Sequence, residues 1–175
     1  MENWNKAVMA MMIISALGFL ISDGEMRRIG WIRAMRKCLL RMCSIIRYEQ
    51  PELSVLLQRI KLDATQQEKQ LTKILHACAE RIRTSTNPQL LLLFAGESSR
   101  NTAFGVLNSE DKGAFEHVIA ELGRNRMTEQ ISLIEEADER LRVRERELET
   151  EGKRRAQLIR SLGLACGAAA FLIIV

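Results

Sequence analysis

Few residues of this 175-residue sequence have the type and spacing needed for metal or nucleophilic chemistry. The closest pair is His76 and Cys78, but side chains two positions apart point to different sides of a helix. A core cysteine beside a surface histidine is the simpler interpretation, and His117 stands alone between apolar positions. The sequence contains no phosphate-binding glycine loop, no zinc-type cysteine pair and no nucleophile elbow. We therefore expect no metal site and no cofactor.

The carboxylates are the other candidates, because paired acids can act as general acid and general base. Neighbouring acids occur at Glu135–Glu136 and at Asp138–Glu139, inside a charge-dense run that holds no other catalytic side chain. A solvated helix face accounts for them. We therefore expect a protein that is not an enzyme.

Composition limits the class of protein further. The net charge of +4 is modest and the basic residues are mostly interleaved with acidic ones, so we expect no nucleic-acid partner. The four cysteines are scattered without paired spacing, which predicts reduced thiols rather than disulfides. These cysteines are Cys38, Cys43, Cys78 and Cys166.

Helices are the elements that must position these residues. Apolar side chains recur at three- and four-residue steps, which predicts an all-α bundle of about five or six helices. We expect Trp31 and Tyr48 among its larger core side chains, Pro51 at the start of the second helix and Ser109 as the N-cap of the fifth. The last helix is a charge-dense rod from about residue 126, and its narrow apolar stripe favours a bundle helix over a coiled coil.

An apolar run lies near each end of the sequence, at residues 7–21 and 161–175. The first run could be a signal peptide, but no small-residue cleavage site precedes Asp23, and two matching runs favour two transmembrane helices. The predicted division is an amino-terminal anchor at residues 1–24, a helical domain at residues 25–157 and a carboxy-terminal anchor at residues 158–175.

Basic residues follow the first anchor and precede the second. The positive-inside rule therefore places the helical domain in the cytoplasm of a two-pass protein of the cell membrane. We interpret the basic residues as attracted to anionic lipid headgroups. They are Arg27, Arg28, Arg33, Arg36, Lys37, Lys153, Arg154, Arg155 and Arg160.

Gly163 and Gly167 are four residues apart in the second apolar run. This spacing lets membrane helices pack closely, against the first anchor or against a helix of another protein. Glycine is also common in membrane helices in general, and both interpretations remain open.

An ordered set of short features runs along the chain. It comprises Ile46 and Tyr48 followed by Pro51 and Leu53, then Leu122 and Gly123, then Gln130, Leu141 and Glu151, and finally Leu162, Gly163 and Gly167. With this set of residues, two predicted anchors and a similar total length, the chain resembles the stage III sporulation protein AB family. The chain departs from the family pattern at Glu52, which separates Pro51 from Leu53.

The resemblance implies a component of the transport complex that endospore formers build between mother cell and forespore. It implies a domain similar to the cytoplasmic domains of the inner-membrane platform protein of type II secretion and type IV pilus machines. The implied partners are a secretion-type ATPase, stage III sporulation protein AA, and other membrane proteins of the same complex. The implied location is the outer forespore membrane, with the domain on the mother-cell side.

Two helix corners are our candidates for the partner contact. One is formed by Tyr48 and Pro51, the other by Leu122 and Gly123. Each corner could instead serve only to set the angle between its helices. The alternative function is a membrane-tethered scaffold or sensor whose charged rod self-associates.

Overall fold

The computed structural model describes the backbone of residues 2–84, 89–122, 124 and 126–174, and the side chains of residues 24, 26–84, 89–122, 124, 126–152, 154 and 158. Six α-helices and one 3-10 helix form the described backbone, which contains no strand. They are α1 (Glu2–Glu49), α2 (Leu53–Arg59), α3 (Gln66–Thr84), α4 (Leu90–Ser99), the 3-10 helix (Thr102–Val106), α5 (Ser109–Glu121) and α6 (Met127–Ile174). The prediction of an all-α chain with about five or six helices is confirmed.

Two compact units divide the chain. From here on, the name helical domain refers to the unit of residues 28–145. The other unit comprises residues 1–27 and residues 146–175. In the helical domain α2 packs on α3, α3 on α4, and α4 on both α5 and the 3-10 helix. Residues 1–27 and 146–175 supply the first part of α1 and the last part of α6.

The described backbone of the two predicted anchors, residues 7–21 and 161–174, is helical. Within the described residues no helix combines the length and the apolar character that crossing a membrane requires. The side chains of both anchors lie outside the described part of the chain, and the two transmembrane helices stay a prediction.

Four aromatic rings form the centre of the helical domain. Trp31, Phe94, Phe104 and Phe115 are each almost fully buried. Phe104 meets Trp31 edge to face at 5.0 Å between ring centroids and meets Phe94 in the same way at 5.9 Å, a favoured geometry for aromatic pairs. The 3-10 helix that carries Phe104 therefore joins α1 to α4 through the core.

The predicted core position of Trp31 is confirmed, and that of Tyr48 is wrong. The Tyr48 side chain is 82% exposed, one residue before α1 ends. The inward-facing residues of this last part of α1 are Ile45 and Ile46, both buried. Because adjacent residues are about 100° apart around a helix, Tyr48 is rotated away from that face.

Two predicted helix starts are corrected by one or two residues. Glu52 is the N-cap of α2, and Pro51 lies before it instead of inside the first turn. Asn108, not Ser109, caps α5, because its side-chain oxygen accepts a hydrogen bond from the backbone N–H of Asp111 at 2.8 Å. Both corrections leave the helices themselves where the apolar spacing predicts them.

Candidate functional site

Both predicted corners contribute to one open groove of about 730 Å³ in the helical domain. Pro51 from the first corner and Leu122 from the second both line it. Helix α4 supplies Leu91 and Leu92, and the first turn of α6 supplies Met127. We call this feature the corner groove. Because the two corners are far apart in the sequence, the sequence alone did not indicate that they share a surface.

The backbone at the first corner turns sharply at Gln50. Its φ of 45° lies in the left-handed region, which a residue other than glycine adopts only when its surroundings hold it there. The Gln50 side chain also donates a hydrogen bond from Nε2 to the Met127 sulfur at 2.9 Å. This contact ties the end of α1 to the start of α6 and fixes one wall of the corner groove.

The second corner turns where α5 ends. Leu122 follows α5 in an extended conformation, with φ −63° and ψ 126°, and its side chain is buried at the groove. Gly123, the other residue of this corner, lies outside the described residues. Leu122 is therefore the part of this corner that the structure assigns to the groove.

Apolar side chains dominate the corner groove and some of them face solvent. Leu92 is 65% exposed and Leu91 is 38% exposed, whereas Leu56 and Leu122 are buried in its floor. Its charged lining residues, Glu52 and Arg124, are of opposite sign. An open apolar groove with a polar rim suits the apolar side of a partner's helix better than a charged ligand.

Tyr48 does not belong to the corner groove. It lines a second depression of about 370 Å³ together with Leu40, Cys43, Arg47 and Glu135. Arg47 and Glu135 form an ion pair at 3.0 Å across this depression, and Leu40 is 54% exposed. The structure thus separates Tyr48 from Pro51, which the sequence had grouped in a single contact.

A fully buried carboxylate, that of Asp111, lies elsewhere in the helical domain. Arg28 from α1 holds both of its oxygens, with Nη2 donating to Oδ1 at 2.8 Å and Nε donating to Oδ2. Arg144 from α6 donates from Nε to Oδ1 at 3.2 Å. Burial alone would raise the pKa of Asp111, but the hydrogen bonds and charges of Arg28 and Arg144 outweigh it and lower that pKa. We call these three residues the Asp111 cluster.

A second set of ion pairs joins α1 to α6. Arg36 donates from Nε to Asp138 at 2.9 Å and from Nη1 to Glu145 at 2.8 Å, and Arg33 donates to Glu145 at 2.6 Å. Burial raises the pKa of Glu145, yet the hydrogen bonds of Arg33 and Arg36 dominate and lower it. Asp138 thus binds Arg36 of α1, whereas Arg142 binds Glu139 within α6.

These contacts correct the interpretation of the basic residues that follow the first anchor. The sequence assigned them to lipid headgroups, but four of them bind carboxylates inside the helical domain. They are Arg28, Arg33, Arg36 and Lys37, the last of which lies 2.6 Å from Glu68. Their partners lie on α3, α5 and α6, far along the chain from α1.

The residues considered for metal or thiol chemistry have structural contacts. His76 donates from Nε2 to the Ile60 carbonyl at 2.9 Å. Cys38 and Cys78 are buried, and burial raises the pKa of Cys78 to about 11. Among the described side chains, no group of three or more histidine, cysteine and acidic residues is arranged to hold a metal ion.

The profile of stage III sporulation protein AB matches residues 3–175 of this sequence. The chain belongs to the stage III sporulation protein AB family. Membership gives it a role at stage III of sporulation. Neither the curated proteins nor the solved structures include a significant match to it.

Of the site residues predicted for this member of the stage III sporulation protein AB family, Pro51 and Leu122 share the corner groove and Tyr48 lies outside it. Gly163 and Gly167 lie in the backbone of α6, and their surroundings are outside the described part of the chain. The sequence missed the contribution of α4. Its run of four leucines was the available signal, because consecutive residues cannot all face one side of a helix.

Proposed function

We propose that this protein is a non-catalytic membrane adaptor of the transport complex between mother cell and forespore. In this proposal it binds a secretion-type ATPase, stage III sporulation protein AA, through the corner groove. The observation that carries the proposal is the meeting of Pro51, Leu122 and exposed α4 leucines in one groove. The choice of partner rests on the family and on its resemblance to platform proteins of secretion machines.

The apolar surface of the groove supports a protein partner. Leu92 exposes about two thirds of its side chain beside the buried Leu56 and Leu122. An apolar surface with a polar rim is the usual composition of a protein contact, in which a few central side chains carry most of the binding energy. Covering Leu91 and Leu92 with a partner's helix would remove this apolar area from water.

The second depression supports a contribution from Tyr48. Tyrosine is enriched among the side chains that dominate protein contacts, because it offers a large apolar ring and a hydroxyl with little rotamer entropy. Tyr48 and Leu40 are both largely exposed on this part of α1. In the proposal Tyr48 is a contact of its own, separate from the groove.

We further propose that the two apolar runs, residues 7–21 and 161–175, are transmembrane helices and that the helical domain faces the mother-cell cytoplasm. The support is their uncharged sequence and the basic residues beside them, Arg27 and Arg154 among these. Single cysteines placed at residue 2 and at residue 136 test this topology. In sealed vesicles of known orientation, a membrane-impermeant thiol reagent should label them from opposite sides, and labelling from the same side would contradict it.

Capture of the ATPase by the full chain in detergent tests the adaptor. We expect Leu92→Glu to weaken capture about tenfold or more, because it buries a charge in an apolar contact at a cost above about 1.4 kcal/mol. Tyr48→Ala should weaken it less. The matched control is Val143→Glu on α6, where a valine is 46% exposed.

The control should capture the ATPase as the parent chain does. Equal capture by the parent and Leu92→Glu would refute the groove as the contact, and equal capture by the parent and Tyr48→Ala would refute the separate contact of Tyr48. Absence of capture by the parent chain itself would refute the adaptor function.

A further inference from the structure

Two loops of the helical domain lie at the end where α1 enters it at Arg28. Gly30 of α1 contacts the first turn of α3, where a Cβ added to Gly30 would lie 3.1 Å from Nε2 of Gln67. Trp31 of α1 meets Phe104 of the 3-10 helix edge to face. The loop that precedes α3 and the loop between α4 and α5 are therefore both held beside the first residues of α1 in the domain. We call this end of the helical domain the anchor end.

The loop between α4 and α5 is uncharged and partly apolar. Residues 101–109 contain no charged side chain. Phe104 fixes this loop to the core, whereas the next two residues, Gly105 and Val106, are exposed, and Val106 exposes 39% of its surface. An uncharged loop that turns apolar atoms outward suits contact with the headgroup region of a bilayer.

Three lysines lie beside the other loop of the anchor end. The Thr72 hydroxyl holds this loop on α3, because it accepts a hydrogen bond from the Leu62 N–H at 3.1 Å and donates one to the Leu62 carbonyl at 3.1 Å. Lys61 and Lys73 are the chain neighbours of these two residues, and Lys69 lies one helical turn from Lys73. We call Lys61, Lys69 and Lys73 the lysine face.

The lysine face is an unbalanced positive surface. All three lysines are exposed, and none of them forms an ion pair with another described side chain. They differ in this from the basic residues of α1 that bind carboxylates inside the domain. The exposed acid of the same loop is Asp63, so one carboxylate faces three ammonium groups. Charge that no internal partner neutralises attracts an anionic surface.

We propose that the anchor end lies on an anionic lipid surface, with the lysine face attracting the headgroups and Gly105 and Val106 entering them. This rests on the proposed transmembrane helices. Six residues separate Ile21, at the end of the first apolar run, from Arg28. Seven steps of chain cover about 10 Å as a helix and at most about 25 Å when extended, so anionic headgroups are within reach of the anchor end. Electrostatic attraction and apolar contact act together at such a surface.

The lipid contact leaves the corner groove free for a protein. The groove is built around Gln50 and Met127, beyond the other end of α1. The part of α1 from Arg28 to Glu49 is about 30 Å long at the rise of an α-helix. The helical domain can therefore rest on lipid at one end and bind the ATPase at the other.

Fluorescence quenching of the full chain in phospholipid vesicles tests the proposal. The chain carries a fluorophore at Val106→Cys, and the quencher is phosphatidylcholine spin-labelled in its headgroup. Three native cysteines are buried, and the fourth, Cys166, is replaced by serine in every variant. With phosphatidylserine in the vesicles, we expect quenching at least about threefold stronger than at the matched reporter Ser132→Cys, an exposed position about 20 Å along α6 from residue 145.

A triple substitution of the lysine face tests the role of its charge. Lys61→Gln, Lys69→Gln and Lys73→Gln together should lower quenching at Val106→Cys to the level measured in vesicles of phosphatidylcholine alone, because the attraction to anionic headgroups is lost. The matched control replaces three exposed arginines remote from the anchor end by glutamine, and it should leave quenching unchanged. These arginines are Arg47, Arg83 and Arg126.

The outcomes separate this contact from the transmembrane helices on which it rests. Equal quenching at the two reporters, or quenching that depends neither on phosphatidylserine nor on the lysine face, would overturn the lipid contact and leave the anchors standing. Release of the chain from the vesicles by alkaline carbonate would refute the anchors, and the contact with them. Loss of ATPase capture by the lysine variant, with quenching unchanged, would assign the lysine face to an acidic protein surface and overturn the proposal.

Discussion

The Asp111 cluster and the corner groove depart from the usual distribution of residues in opposite ways. At the Asp111 cluster a fully buried carboxylate stands where an apolar side chain is common, and two arginines from α1 and α6 complete its hydrogen bonds. At the corner groove Leu92 stands in water where a polar side chain is common. Arg28 and Arg144 pair with the buried carboxylate of Asp111, whereas the side chain of Leu92 stays largely exposed to solvent.

The difference separates structural from functional residues. A buried charge with complete partners holds elements together, and here it links three helices through a single carboxylate. An exposed apolar patch, by contrast, gains free energy only when a partner covers it. Substitutions in the first region should therefore change stability, and substitutions in the second should change binding with little effect on stability.

The largest expected effect is that of Asp111→Ala. Removing this carboxylate leaves Arg28 and Arg144, each about one fifth exposed, without their shared acceptor. Breaking a buried charge pair in this way costs about 3–5 kcal/mol of unfolding free energy. The measurement is urea unfolding of the full chain in detergent, followed by fluorescence of the buried Trp31 in a Trp4→Phe background.

Glu110→Ala is the matched control, since Glu110 is the adjacent residue and its 70% exposed side chain contacts the same Arg144 at 3.2 Å. It should lower the unfolding free energy by less than about 1 kcal/mol. A similar small loss for Asp111→Ala would show that burial does not distinguish the cluster, and the comparison with the groove would fail.

Acid should weaken the ion pairs between α1, α5 and α6 in a defined direction. The pKa of Asp111 is lowered from 3.8 and that of Glu145 from 4.5. Groups with a lowered pKa in the folded state contribute stability that is present above their unfolded pKa and is lost as pH falls through the folded pKa. We expect unfolding free energy to fall below about pH 4, by up to about 1.4 kcal/mol per pH unit for each group.

Urea unfolding between about pH 2 and pH 6 measures this loss, and the variant Asp111→Asn with Glu145→Gln should show a shallower acid dependence. The groove offers the contrast, because Leu92→Gln should leave the slope unchanged. An acid dependence equal in the parent and the double variant would show that other carboxylates dominate.

The sequence predicted the helices well because each has a local signal. Apolar spacing predicted an all-α chain, Pro51 indicated a break before the second helix, and the start predicted at Ser109 is within one residue of the N-cap of α5. The predicted core position of Tyr48 was wrong, because apolar periodicity does not show where, near the end of a helix, a face turns away from the neighbouring helices. The ion pairs of Arg28 with Asp111 and of Arg36 with Glu145 join residues 83 and 109 positions apart. No local pattern specifies such a pairing.

Only part of the candidate site was predicted, because local turns can be read from the sequence and long-range packing cannot. Pro51 and Leu122 were selected as corners from local turn chemistry, which is readable from sequence. That both corners meet α4 in one groove depends on how α2, α4 and α5 pack, which is a long-range property. The leucine run of α4 carried a signal of surplus apolar surface, but it did not state which leucine faces solvent.

The smallest expected effect tests whether burial is the reason that the Asp111 cluster contributes more stability than an exposed ion pair. Arg140 and Glu136 form an ion pair at 2.6 Å on α6, as short as the contact of Arg33 with Glu145, but both side chains are about 60% exposed. Water and salt screen such a pair, and Arg140→Ala should lower unfolding free energy by only about 0.3–0.5 kcal/mol. Urea unfolding at low and high salt measures it, with the loss shrinking at high salt. Because the chemistry of the pair is the same as in the Asp111 cluster, a loss near that of Asp111→Ala would mean that charge alone, and not its burial among α1, α5 and α6, stabilises this domain.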